Sequence, residues 1–201
     1  MQHDLTELVL ILDRSGSMES IKGETIGGIN NLLDAQRHQP GSCNVTVIQF
    51  DDQINVLHNG ENIQYVPNFN ERTFVPRGMT KLHDAMGLAI NNVGERLSRT
   101  PEEYRPSKVI VAVITDGCEN ASQEFSSLQI RDMVEHQQRR YLWEFTFVGA
   151  NQDAILNGQS LGVNATGCLS WDSNNIGTRT MYASLNNAIT SVRQGNSINY
   201  D

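Results

Sequence analysis

The chain has 201 residues, of which 38% are hydrophobic, and a formal net charge of -8. That length and apolar content support one substantial core in a single domain. The acidic balance excludes a nucleic-acid or anionic-membrane surface, which would need a concentrated basic face.

A nearly continuous apolar run from Leu5 to Leu12 has the composition of a strand covered on both faces in a parallel sheet. The spacing of Ile21, Ile26, Ile29, Leu32 and Leu33 predicts a helix from about Glu19 to Arg37, stopped by "HQPGS". "CNVTVIQF" alternates as a second strand, and only "DDQ" separates it from a third, "INVLH". So short a connection makes the two an antiparallel hairpin. Residues 60–79, with Pro67, Pro76 and Gly78, read as an irregular loop. From Lys81, the positions of Leu82, Ala85, Met86, Ala89, Ile90, Val93 and Leu97 define a second helix. "KVIVAVIT" is a fourth buried strand, running into "DGCEN". A helix over about 126–140, a strand "WEFTFVG", a short helix over about 152–160, a strand near "ATGCLS" and a helix over about 176–192 complete the order. Arg139 and Arg140 fall at a helix C-terminus, where the macrodipole favours cations. This alternation predicts an open α/β sheet with helices on both faces. Residues 1–194 form one domain, and 195–201 ("GNSINYD") read as a flexible polar tail.

Cys43, Cys118 and Cys168 are odd in number, widely spaced and without CxxC pairing, so they are expected as reduced thiols. No apolar stretch reaches the ~18 residues of a membrane span, and no basic segment followed by an apolar one opens the sequence. A cytoplasmic location is expected.

Three polar clusters stand at related places. "DRSGS" (13–17) follows the first strand, Asp116-Gly117 follows the fourth, and Thr80 ends the long loop before a helix. Each has an ordinary explanation taken singly: Ser17 and Thr80 as helix caps, Asp116-Gly117 as a turn pair. In open α/β sheets, however, ligands bind outside the carboxyl ends of the strands where the strand order switches, and all three clusters can converge there. Hydroxyls of Ser15, Ser17 and Thr80 with the carboxylates of Asp13 and Asp116 suit a hard divalent cation, which takes oxygen ligands and keeps waters. No thiolate cluster or histidine pair competes for a softer metal.

Together "DRSGS", Thr80 in "GMTKLHDAM" and Asp116 in "VITDG" resemble the metal-ion-dependent adhesion site of von Willebrand factor A domains, matching its pattern Asp-x-Ser-x-Ser, then Thr, then Asp. The chain is most similar to the small stand-alone members found in bacteria and phages. The resemblance implies a three-layer Rossmann-like α/β/α fold with sheet order 3-2-1-4-5-6 and an antiparallel third strand. It also implies a Mg²⁺ ion, or Mn²⁺ or Ca²⁺, held directly by Ser15 and Ser17, with Thr80 or Asp116 joining by conformational state and Asp13 acting through water. A Glu or Asp of a protein partner would fill the vacant position. The expected role is a non-enzymatic, metal-dependent adaptor or regulator inside the cell.

Two other functions fit parts of the sequence. One is a homo-oligomer assembled through the metal site. The other is a hydrolase: Asp13 stands where haloacid-dehalogenase phosphatases carry their nucleophile, but Ser15 replaces their second acid, and "DRSGSM" is not a GxSxG elbow. Around the site, Arg14 is expected as a solvated residue or a guide for an acidic ligand, and Lys81 and His83 as rim residues. Cys118 is expected as a buried filler. Asn151, Asp153 and Asp172 are expected as turn or cap residues. Asp201, on the tail, is a candidate to occupy the metal site of its own or a neighbouring chain.

Overall fold

The computed structural model describes residues 2–150 and 153–200. Strands β1 (Gln2–Asp13), β2 (Ser42–Phe50), β3 (Ile54–Asn62), β4 (Pro106–Thr115), β5 (Glu144–Ala150) and β6 (Cys168–Trp171) form one sheet in the order β3-β2-β1-β4-β5-β6. The β2–β3 pair is antiparallel and every other pair parallel. The apolar run in β1 explains its central place. Leu8, Leu10 and Leu12 enter one core while Val9 and Ile11 enter the other, so neither face of the strand meets water.

The first core is closed by α1 (Lys22–Arg37) and α5 (Asn175–Arg193), through Ile29, Leu32 and Leu33 and through Met181, Leu185 and Ile189. The second is closed by α2 (Leu82–Arg99) and α3 (Ser127–Tyr141), through Ala85, Met86, Ile90 and Val93 and through Ile130 and Val134. Helix α4 (Ala154–Ser160) is one short piece beside β5 and β6. Ser126 caps α3 in a capping box with Gln129, satisfying two backbone N–H groups that the helix leaves open.

Four details differ from the sequence reading. The first helix is split: a 3₁₀ turn (Gly16–Ile21) precedes α1 because the loop carrying Ser15 and Ser17 winds tightly before the helix begins. Strand β3 runs to Asn62, four residues past "INVLH", through two register irregularities against β2. The last strand begins at Cys168, after a 3₁₀ turn over Ala165–Gly167. Where a flexible tail was expected, Ile198 is buried and the Tyr200 hydroxyl lies 2.7 Å from Thr146 Oγ1 on β5. The apolar members of this polar stretch have core surface within reach, which its composition alone does not reveal. Asn151 and Asp201 lie outside the described residues. Among the described residues no helix is long and apolar enough to cross a membrane.

Candidate metal centre

The chain leaves β1 for α1 on one face of the sheet and reaches β4 through α2 on the other, so the carboxyl ends of β1 and β4 border the crevice where strand order switches. All five residues of the pattern meet there. Asp13 ends β1 with no solvent exposure. Its Oδ1 accepts from Ser15 N at 2.6 Å and its Oδ2 from Thr115 Oγ1 at 2.5 Å. Ser15 Oγ lies 3.1 Å from Ser17 Oγ, and Ser17 Oγ donates to Asp116 Oδ1 at 2.5 Å. Gly117 locates the remaining group: a Cβ placed on it would stand 3.1 Å from Thr80 Oγ1, 3.5 Å from Asp13 Oδ2 and 3.6 Å from Ser15 Oγ. Three ligand-type oxygens from two segments thus lie around one point that Gly117 leaves open.

The capping alternatives are not realised. Ser17 lies inside the 3₁₀ turn, Ile21 rather than Ser17 occupies the N-cap of α1, and Lys81 rather than Thr80 occupies the N-cap of α2. The hydroxyls remain with the cluster.

Contacts outside the pattern hold the segments in place. Asn120 bonds Thr80 in both directions, its N donating to Thr80 O at 3.1 Å and its Oδ1 accepting from Thr80 N at 2.9 Å. Farther along the same loop, Asp84 on α2 accepts from the N–H groups of Gln123, Glu124 and Phe125 at 2.9–3.0 Å. Glu119 accepts from Ala121 N, Ser122 N, Ser122 Oγ and His83 N. Asp84, Glu119 and Asn120 fall inside the quoted stretches "GMTKLHDAM" and "DGCEN", but no spacing signal separates them from ordinary loop or helix residues.

The electrostatics fit a cation. Burial pushes the Asp13 carboxyl up to about 6, against hydrogen bonds from Thr115 and Ser15, with the nearby Asp116 charge pushing the same way. Burial also raises Asp116 despite the hydrogen bond from Ser17. Among the described residues neither carboxylate has a basic side chain in ion-pair contact, so both lack the positive charge that would offset their desolvation. An octahedral Mg²⁺ with ~2.1 Å bonds sets neighbouring ligands about 3 Å apart, the order of the Ser15–Ser17 separation. Among the described residues no group of three or more His, Cys, Asp or Glu side chains forms a rival centre.

The surrounding residues sort differently. Arg14 is neither solvated nor free to guide a ligand: it is buried, with Nε 2.9 Å from Asp51 Oδ2. Cys118 is exposed rather than a filler, because the turn after Asp116 carries it out of the core. Lys81 is half-buried, and His83 sits against Glu119 with 3.9 Å between Nδ1 and Oε2. Asp153 takes the N-cap position of α4 without a side-chain cap bond. Asp172 is exposed, and Asn174 is the residue that caps α5, accepting from Gly177 N at 2.9 Å.

Comparison with known proteins gives the same frame. The family model of the von Willebrand factor type A domain matches residues 7–160. No curated protein matches the sequence. Among solved structures, proximal thread matrix protein 1 from the mussel byssus is similar at TM-score 0.61 and 12% identity, over 92% of this chain and 46% of that one. A form of the same protein described as having a zinc-occupied MIDAS motif gives TM-score 0.60 at 13% identity, over 94% and 46%. A D319A mutant of the PilB minor pilin from Streptococcus sanguinis gives TM-score 0.57 at 11% identity, over 96% and 62%. The chain spans about half the length of the mussel protein. At these identities the likeness is one of fold. With the family model covering most of its length, this chain belongs to the von Willebrand factor type A domain family.

Proposed function

We propose that this chain is a metal-dependent protein-binding module, a cytoplasmic adaptor that takes up a Glu or Asp carboxylate of a partner through a Mg²⁺ site and carries out no catalysis. The observation that carries the reading is the donor balance of the cluster. Three hydroxyls stand beside two carboxylates, and one of these, Asp13, already accepts from Ser15 and Thr115. Ser15, Ser17, Thr80 and Asp116 would hold the ion, and Asp13 would orient Ser15. A cation bound largely by neutral oxygens keeps much of its charge, and it would supply that charge to an incoming carboxylate.

Support for binding over hydrolysis comes from what the hydroxyls face. Among the described residues neither Ser15 nor Ser17 bonds a histidine, and His83 lies against Glu119. The carboxylate that Ser17 does bond, Asp116, is one of the proposed ion ligands, and a carboxylate that holds a cation is a poor acceptor for a serine proton.

Panning a random displayed peptide library on the protein with Mg²⁺ tests the reading. Enrichment of peptides carrying Asp or Glu, lost with EDTA and in Ser15→Ala and Asp116→Ala variants, is expected. Enrichment independent of metal, or of peptides without an acidic residue, would overturn it. A calorimetric Mg²⁺ titration of the same proteins, expected to show at least tenfold weaker binding in both variants, checks the metal separately from the partner.

A further inference from the structure

Asp51 is a buried acid that lies outside the five-residue pattern and yet touches two of its segments. It follows β2 with no solvent exposure. Its Oδ2 lies 2.9 Å from Nε of Arg14 and 2.9 Å from Nε of Arg77. Oδ1 accepts from Gln53 N at 2.6 Å, and the backbone carbonyl accepts from Lys81 N at 3.0 Å. A buried carboxylate is tolerated only when paired and hydrogen-bonded, so these contacts are tightly specified.

Both arginines belong to the segments that bear the ligand hydroxyls. Arg14 sits between Asp13 and Ser15, and Arg77 precedes Thr80 by three residues. The segments also touch through their backbones, Arg77 N donating to Arg14 O at 2.8 Å and Gly16 N to Gly78 O at 3.2 Å. Gly78 has φ +65, and a Cβ there would collide with the Asp52 side chain, so the chain passes close against the end of β2. Between β3 and α2 no helix or strand fixes where Thr80 sits. Asn120 holds the Thr80 backbone from one side, and the Asp51 carbonyl holds the N–H of the next residue, Lys81, from the other.

We propose that Asp51 is a positioning residue of the metal site: through Arg14 and Arg77 it sets the Thr80 hydroxyl against those of Ser15 and Ser17. The inference rests on the metal-binding reading above. Arg77 is the informative handle. Its side chain is half exposed, and losing it leaves Asp51 still paired with Arg14.

The test is calorimetric titration of the metal-free full chain with Mg²⁺, for the wild type, Asp51→Asn, Arg77→Ala, Thr80→Val and the Arg77→Ala/Thr80→Val double variant, with thermal midpoints recorded without metal. Arg77→Ala and Asp51→Asn are each expected to weaken Mg²⁺ binding about tenfold or more, the usual effect of removing a group that orients a metal ligand. Arg77→Ala is expected to leave the metal-free midpoint nearly unchanged and to have no further effect once Thr80 is Val, because residues acting through one another are not additive. Wild-type affinity in Arg77→Ala, or an equal loss in both backgrounds, would overturn the inference while leaving the metal site intact. A wild-type chain that binds no Mg²⁺ would remove the functional reading and this inference with it.

Discussion

Gly117 occupies the space beside the Thr80, Asp13 and Ser15 oxygens, so the site depends on the absence of one methyl group. Gly117→Ala would place that methyl 3.1 Å from Thr80 Oγ1, a contact a rotating hydroxyl can relieve in the metal-free protein. The expected result is Mg²⁺ affinity at least tenfold lower with a metal-free thermal midpoint close to wild type, read by calorimetry and circular dichroism. Asp13 predicts a pH dependence of opposite sign to that of most paired carboxylates. Burial holds its folded-state value at about 6, above the ordinary 3.8. Below the ordinary value both states are protonated and nothing is lost; above about 6 the folded state carries a buried charge. The metal-free protein should therefore lose up to about 3 kcal/mol of this contribution as pH rises from about 4 to above 6. Asp116, also raised, acts in the same direction. Asp84 and Glu119 are held below their ordinary values by backbone hydrogen bonds that outweigh burial, so their stabilisation is lost only as pH falls through those lower values. Urea titrations of metal-free protein between pH 4 and 7 check the sign, with Asp13→Asn expected to flatten the slope.

Among the elements, α3 ends in a way that invites a simple test. Leu142 closes the helix at φ 56 and ψ 34, the left-handed conformation that glycine adopts without a Cβ penalty, and its side chain is 80% exposed. Little packing is lost when it is removed. Leu142→Gly is expected to stabilise the protein by about 0.5–1 kcal/mol, and Leu142→Ala not at all, because alanine keeps the clash of Cβ with its own carbonyl. Denaturant midpoints of the two variants separate these outcomes. At this scale the sequence was readable wherever periodicity was strong. The α2 pattern gave a helix to within a residue of its observed start, whereas the loop over residues 63–81 has no period and gave no hint of where Phe69 and Phe74 would bury.

Across the whole molecule, a second polar cluster joins the sheet to α2 away from the metal centre. Glu7 on β1 is fully buried, with its Oε1 accepting from Arg96 Nη2 at 2.7 Å and from Thr46 Oγ1 at 2.8 Å. Arg96 Nη1 completes a two-point contact with Oε2 at 3.2 Å. Removing one partner leaves an uncompensated buried charge, so Arg96→Met should cost about 3 kcal/mol. Adding Glu7→Gln should recover part of that loss by removing the charge. Mg²⁺ affinity should be unchanged in both variants, because none of these contacts reaches Ser15, Ser17, Thr80 or Asp116. A fall in affinity would show that the two ends of the sheet are coupled.

By itself the sequence determined the class and order of the elements, because apolar runs and helical periods are written locally along the chain. It also named Asp13, Ser15, Ser17, Thr80 and Asp116 as one group, since strand ends are where an open sheet gathers its ligands. The tertiary structure alone decided what surrounds them. Arg14 reads as a solvated loop residue in sequence, and only the approach of β2 makes it the buried partner of Asp51. Asn120 joins the site from 40 residues beyond Thr80, and no local pattern marks a residue whose partner is that distant. Ile198 and Tyr200 pack in what reads as a polar tail, because burial depends on which surface lies within reach. Side-chain type limits the chemistry a site can perform, and long-range packing selects which of those side chains face it.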